Sequence, residues 1–555
     1  MKKFAIMITS VLATLPVSAQ ETYENARLME TDLNGTARYV AMGGAMDALG
    51  ADISTISTNP AGIGLFRHSM VSTSFGIVSQ EGAKNFRTGD KTNASFDQIG
   101  FVWSNRTNKT SFFNFAFNFH KSQNFDYILS AAGELDYKIT NEGKKQYTSS
   151  QNGLSHVKAI GENDPKTGTS TYLYDEKDAM GTAWWTNQLD NLYYNTFIWD
   201  AQSKTPGWNA ASDFMMNRAN TGYIGEYDMN LSGNINNRVY LGLTVGIHDV
   251  HYKGLSEYTE SLLKEGNVPA GQVTVSDERN ITGTGVDIKA GIIFRPIESS
   301  PFRIGLSIAT PTFYKLKSQS STRLLNNTEY HGPNPNYVAK SSYEFKLYTP
   351  WKFGLSLGHT IDQFIALGAG LEYADYSSMD TREITDEYYD YYYDTTTTNS
   401  ESDVEMNRHT SETLKGVLQL KLGAEVKIDK NFAVRFGYNY ASPMYKENGS
   451  KDFDIDSYGT NCASATDFTN WKATNRLTCG FGYRYNNFSV DLAYQYSVRK
   501  GTFYPFQSAW GDYYDDYYDE DGKRFIAVEQ IDITPTSVSV ENKRHQVLLT
   551  LGYTF

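Results

Sequence analysis

From Val71 onward the chain alternates apolar and polar residues with a period of two, the pattern of strands with one apolar and one polar face. Fourteen such segments can be traced. In the first, Val71, Thr73, Phe75 and Ile77 share one face, and Ser72, Ser74 and Gly76 the other. The third sets Phe113, Phe115, Phe117 and Phe119 against Asn114, Ala116 and Asn118. The tenth sets Leu418, Leu420 and Leu422 against Gln419, Lys421 and Gly423, and the last runs from Val547 to Phe555. One stretch breaks the rule. Arg38 to Gly62 precedes every strand, is rich in small residues and does not alternate.

The connections alternate in length. Long ones fall near 79–94, 121–221, 251–282, 313–342, 378–411, 444–472 and 502–541. Short ones fall near 106–110, 235–238, 296–300, 360–363, 429–431 and 487. A soluble sandwich has no reason to sort its loops by parity. A membrane barrel has short periplasmic turns and long external loops. Fourteen apolar stripes would also form a patch far beyond what a soluble monomer exposes. Lipid accommodates that patch, and closure of the sheet pairs every backbone group. The expected fold is all-β: a fourteen-stranded antiparallel transmembrane β-barrel with an N-terminal plug in its lumen. Trp103, Tyr373, Tyr440 and Tyr496, near strand ends, suit interfacial girdles.

Composition agrees. The 555 residues include 40 Tyr, 30 Phe and 45 Gly, which favour strands and close packing inside a barrel. A net charge of −13 argues against a nucleic-acid partner. Mean hydropathy of −0.49 excludes a helical membrane protein but not a barrel. Lys2 and Lys3, the apolar run Phe4 to Leu15 and Val17-Ser18-Ala19 form a signal peptide with a cleavage site. The expected organisation is therefore a cleaved leader over 1–19, a plug over 20–67 and a barrel over 68–555, exported to the outer membrane and surrounded by its lipid. The two cysteines, Cys462 and Cys479, are read as unbridged.

Several residues are candidates for chemistry. Inward-facing charges, among them Glu372, Lys421, Glu425 and Arg435, suggest a lumen network. Arg38, Asp47 and Asp52 of the small-residue stretch are placed to pair with Arg435 or Glu425. An amphipathic helix is expected over 183–199 in the longest external loop. Trp184, Trp185 and Leu189, with Phe214 and Met215 further along that loop, would cradle an apolar ligand. The Tyr- and Asp-rich runs 386–394 and 512–521 lack calcium-loop spacing and read as solvated acidic surface. Gly354-Leu355-Ser356-Leu357-Gly358 has the letters of G-x-S-x-G but alternates as a strand, without the strand-to-helix elbow that motif requires, so no catalytic residue, cofactor or metal site is assigned.

The opening stretch carries a family resemblance. Ala41-Met42-Gly43-Gly44-Ala45, then Asp52, then Asn59-Pro60-Ala61-Gly62 resemble the N-terminal hatch of the FadL/TodX family of outer-membrane transporters for hydrophobic compounds. The segments Thr349 to Gly358 and Val434 to Tyr440 and the aromatic C-terminus are also similar to that family. The resemblance implies that Gly43, Gly44, Asp52, Asn59, Pro60, Ala61 and Gly62 form a hatch motif. It further implies uptake of a small hydrophobic ligand, fatty-acid-like or aromatic. The barrel is expected to be a monomer, and with no energy source or nucleotide site visible in the sequence its transport is expected to be passive. Some family members release substrate sideways at a kinked third strand. Here no Gly or Pro lies between Phe112 and His120, so the sequence leaves lateral and periplasmic release equally open. The competing reading is a surface receptor or adhesin that uses the Tyr/Asp-rich loops on a barrel scaffold.

Overall fold

The computed structural model describes residues 21–135, 153–155, 188–196, 210–264, 268–328, 335–362, 364–390, 395–451, 464–507, 509–518, 524–533 and 535–555, with the single residues 455, 457, 459 and 462. The leader, Trp184 and Trp185 lie outside the described residues.

Fourteen antiparallel strands close into a ring. In order around it they are β1 (Met70–Gln80), β2 (Thr92–Arg106), β3 (Phe112–Asn124), β5 (Ala210–Ile235), β6 (Val239–Lys264), β7 (Val268–Phe294), β8 (Arg303–Ala309), β11 (Lys352–Ile361), β12 (Ile365–Asp375), β15 (Gly416–Lys427), β16 (Phe432–Ala441), β17 (Phe468–Tyr485), β18 (Phe488–Tyr504) and β21 (Val538–Thr554). The ring closes where Met70 meets Thr554. The apolar faces point outward: Phe75, Ile99, Leu231, Leu243, Leu306, Phe436 and Leu477 are all exposed, as a lipid-facing belt requires. No helix among the described residues is long and apolar enough to cross a membrane.

The external connections hold more strand than their sequence suggests. β5, β6 and β7 run 26, 26 and 27 residues, where a membrane span needs about 9–11. The stretch 251–282, expected as a loop, is instead the continued ladder of β6 and β7. The remaining strands extend the wall on the long-loop side: β4 (Tyr127–Glu134), β9 (Phe313–Thr328), β10 (Asn336–Tyr348), β13 (Asp380–Asp390) and β14 (Thr395–Ser402). β19 (Ala509–Tyr518) and β20 (Arg524–Ile533) form a separate hairpin. Both Tyr/Asp-rich runs thus begin on hairpin strands, with 391–394 and 519–521 outside the described residues.

The long insertion also differs from its expected form. The fourth barrel strand starts at Ala210, so Phe214 and Met215 sit on a strand and not in a loop. They face opposite ways: Phe214 is buried and Met215 exposed. The helix Gln188–Thr196 packs Leu189, Leu192 and Tyr193 into a cluster with Phe214, Tyr258 and Phe503. Leu189 and Phe214 are therefore core residues of the external wall. No disulfide joins Cys462 and Cys479.

Candidate functional site: the plug and the lumen path

The N-terminal segment enters the barrel from the long-loop side and descends. Helix α1 (Thr22–Met29) is the upper part, with the Glu21 carboxylate capping Tyr23 N–H. It hangs beneath the external helix Val404–Thr413: the Thr22 hydroxyl meets His409 Nδ1 at 2.9 Å and the Thr410 hydroxyl at 3.0 Å. The Asn25 amide donates to the Thr381 hydroxyl and the Tyr23 hydroxyl to Asn470. Burial alone would raise the Glu24 carboxyl, but the Arg279 guanidinium that binds it outweighs burial and holds it below its usual range.

Below α1 the chain has no regular structure until Thr36, whose hydroxyl accepts from Tyr39 N–H and starts helix α2 (Ala37–Ala41). Two 3-10 turns follow, Ile53–Ser57 capped by Asp52 and Pro60–Leu65 capped by Asn59, with Pro60 at the first position. Thus Asp52 and Asn59 each accept a hydrogen bond from the backbone N–H two residues on. Burial pushes the Asp52 carboxyl up, opposed by Arg38 and by hydrogen bonds from Ser54 and Thr36.

A row of glycines on the barrel wall receives this backbone. Gly358 on β11, Gly368 on β12, Gly423 on β15 and Gly437 on β16 stand directly opposite one another in register. Gly242 on β6 likewise faces Gly291 on β7. A Cβ at Gly368 would overlap the Ala45 carbonyl, at Gly423 the Met42 carbonyl, and at Gly437 the Gly43 N–H. At Gly242 it would overlap Pro60, at Gly291 the Asn59 side chain, and at Gly358 it would press on Leu49 N at 3.0 Å. The fit is mutual. Gly43 has a φ of +63°, and its own added Cβ would sit 2.8 Å from Tyr438 N and 2.9 Å from Leu422 O. The Asn59-Pro60-Ala61-Gly62 turn lies at the short-turn end, beside the first residues of β6 and the last of β7.

The lumen charges pair with the plug. Arg38 grips Glu425 with Nε and Nη2 at 2.9 and 3.0 Å, and Glu425 also takes Arg435 Nε at 2.6 Å. Arg435 continues to Asp491 at 2.6 Å. Lys421 bridges Asp47 of the plug at 3.3 Å and Glu372 of β12 at 3.0 Å. Of the three plug charges, Arg38 meets Glu425, Asp47 meets Lys421, and Asp52 stays within the plug on Thr36 and Ser54.

Two features were not anticipated from the sequence. First, residues 31–34 cross the lumen between two cavities. The outer, about 150 Å³, is lined by Tyr23, Arg27, Trp471, Arg476 and Arg499, and the inner, about 110 Å³, by Leu33, His120, Lys289, Lys352 and Lys421. Thr31 and Asp32 line both. Second, the third strand breaks. Pairing of β2 with β3 stops at Gln98 and His120, although β2 continues back to Thr92. β3 shifts register between Lys121 and Gln123, and the wall resumes as β4 at Tyr127. The break lies just beyond the Phe112 to His120 window, in a Lys-Ser-Gln-Asn run that also lacks Gly and Pro. The crossing segment holds this edge. Asp32 N–H donates to Ser122 O at 3.1 Å, the Asn34 amide donates to Lys121 O and to Asp97, and the Asp32 carboxylate accepts from Asn124 N–H.

No protein-family model matches the chain, and no curated protein matches its sequence. Solved structures similar to it include the Ralstonia pickettii toluene transporter TbuX, at 11% identity over 94% of this chain and 99% of that one, with a TM-score of 0.46. The Pseudomonas putida toluene transporter TodX is similar at 10% identity over 95% and 99%, TM-score 0.44. A Pseudomonas aeruginosa FadL homologue is similar at 12% identity over 98% and 100%, TM-score 0.44.

Proposed function

We propose that this chain is an outer-membrane channel for passive uptake of small hydrophobic molecules that carry an acidic head group. The observation that carries the reading is the position of residues 31–34, which separate the two cavities and hold the unpaired edge of β3. Ligand enters the outer cavity between α1 and the aromatic rings of Trp471 and Tyr127. Shifting the 31–34 crossing joins the two cavities and frees the gap between β2 and β3, through which an apolar tail leaves toward lipid. The Asn59-Pro60-Ala61 turn closes the periplasmic end, so the lumen stays sealed to water and ions throughout.

The outer cavity favours an acid over a plain hydrocarbon. Arg499 pairs with Glu30 at 2.6 Å and stacks on Trp471. Among the described residues, the Arg27 and Arg476 guanidiniums donate only to the Tyr252 hydroxyl, Asn439 and the Thr31 carbonyl. Neither has a carboxylate within 4.0 Å among the described residues, so a ligand carboxylate would meet two guanidiniums with donors to spare.

The test is flux into proteoliposomes of palmitate and of toluene. Arg476→Ala is expected to slow palmitate severalfold and leave toluene unchanged. Asp32→Ala with Asn34→Ala is expected to speed both. Altering Asn59-Pro60-Ala61 is expected to admit ions. Palmitate and toluene fluxes unmoved by the Asp32/Asn34 pair would overturn the gate assignment.

A further inference from the structure

We infer that His120, Glu226 and Asp228, completed by His248, form a binding site for one divalent cation of the zinc class on the lumen wall. The site lies on the wall of the inner cavity, and its residues belong neither to the 31–34 gate nor to the Arg27 and Arg476 pair of the transport reading.

Register assembles it. His120 on β3 is opposite Glu226 on β5, and Glu226 is opposite His248 on β6. Asp228, two residues along β5, faces Gly246, which in turn faces Asp287 on β7. Gly246 leaves the hole into which the group converges: a Cβ there would lie 2.7 Å from Lys289 Nζ and 3.2 Å from Asp228 Oδ1.

Charge makes the site incomplete as it stands. Glu226, Asp228 and Asp287 share a single ammonium, Lys289, at 2.5, 3.0 and 3.0 Å. All are buried, and three carboxyl groups around one ammonium are a costly arrangement away from water. Lys289 takes the inner oxygens. The outer ones face the histidines at distances too long for hydrogen bonds: His120 Nε2 to Glu226 Oε2 3.6 Å, His120 Nδ1 to Asp228 Oδ2 3.7 Å, and His248 Nδ1 to Glu226 Oε2 3.9 Å. Asp228 Oδ2 and His248 Nδ1 are fully buried and have no hydrogen-bond partner.

The donor types suit a shared ion, and the outer atoms stand at or just beyond the spacing one would impose. Tetrahedral ligands about 2.0–2.2 Å from zinc lie roughly 3.3–3.6 Å apart, and histidine with carboxylate is a usual donor set. One atom from each of His120, Glu226 and Asp228 can be chosen so that all lie within 4.8 Å of one another. His248 Nε2 is held by Asp287 Oδ2 at 3.0 Å, which turns the Nδ1 lone pair toward the cluster, as a carboxylate behind a metal-bound histidine does. The inner cavity opens onto His120, Glu226 and His248 and supplies the route of entry.

The experiment uses the full chain in detergent, equilibrated with zinc chloride and then freed of excess. Elemental analysis is expected to find one zinc per chain, and cobalt in its place to give the visible bands of a tetrahedral nitrogen–oxygen site. His120→Gln and Asp228→Asn should each weaken zinc binding about tenfold or more. Lys289→Met, which removes the competing cation, should tighten it, an outcome that misfolding cannot mimic. Wild-type protein without stoichiometric zinc, or binding retained in both His120→Gln and Asp228→Asn, would overturn the assignment.

Discussion

Gly368→Val is expected to turn a sealed barrel into a conducting one. The new side chain would occupy the place of the Ala45 carbonyl, and that carbonyl belongs to backbone that is itself wedged between strands. A flexible neighbour could yield, but here two main chains would have to part, at a cost at or above about 3 kcal/mol. The barrel has no such objection. Valine is a good strand residue, the position faces the lumen and not lipid, and the Leu367 and Ala369 backbones keep their partners. The strain therefore falls on the plug. In planar bilayers the native chain should stay closed, whereas the variant should show steady single-channel current. Gly370→Ala, two residues along the same strand, is the control: its added Cβ would find nothing nearer than 3.6 Å, and conductance should not change. A closed Gly368→Val channel with normal folding would mean that the glycine row does not seat the plug.

Glu425→Gln should loosen the plug without emptying the barrel. One buried carboxylate serves two guanidiniums, from the plug and from the wall. Removing its charge leaves Arg435 with Asp491, and Arg38 with the Ala51 carbonyl at 3.0 Å, and the two cations then repel across the gap. Loss of one partner from a buried pair costs about 3–5 kcal/mol. Amide exchange over residues 36–44 should accelerate on the order of a hundredfold if that region opens locally, while strands β15 and β16 stay protected. Arg38→Gln should do less, because the Arg38 side chain is 27% exposed and water can replace part of what is lost. Equal, small effects from both substitutions would show that the glycine row alone holds the plug.

The strand count, the ring and the outward faces could all be read in the sequence, for one reason. Within lipid every second residue must be apolar, so Leu241, Leu243, Val245 and Ile247 announce β6 without ambiguity. Above the lipid that demand ends. β6 continues through Lys253, Glu257 and Glu260 and β7 begins far before Val286, yet neither wall segment alternates in apolar character, so both looked like loop. The same reasoning misplaced Phe214 and Met215. The plug was visible as a lapse in alternation, but its contacts were only partly so. Arg38 to Glu425 was one of several pairings that charge allowed. Lys421 was in view, but nothing in spacing aligned it with Asp47. The 31–34 crossing was invisible because its hold on β3 is through backbone N–H and C=O groups that every residue carries. The break at Lys121 to Gln123 lacks the Gly or Pro that usually marks one, and follows from what the crossing segment bonds to instead.

The glycine row bears on how the molecule is put together. Four neighbouring strands present a glycine at the same height, and a slip of one residue in any of them would bring a side chain from the lipid side into the lumen at that level: Leu357 or His359, Leu367 or Ala369, Leu422 or Ala424, Phe436 or Tyr438. A barrel shut in the wrong register would have no room for residues 42–49. The plug is thus a gauge for the wall around it: only the correctly zipped cylinder accepts it, and a mis-zipped one is left with a loose, protease-sensitive N-terminal tail by which a cell could recognise and discard it.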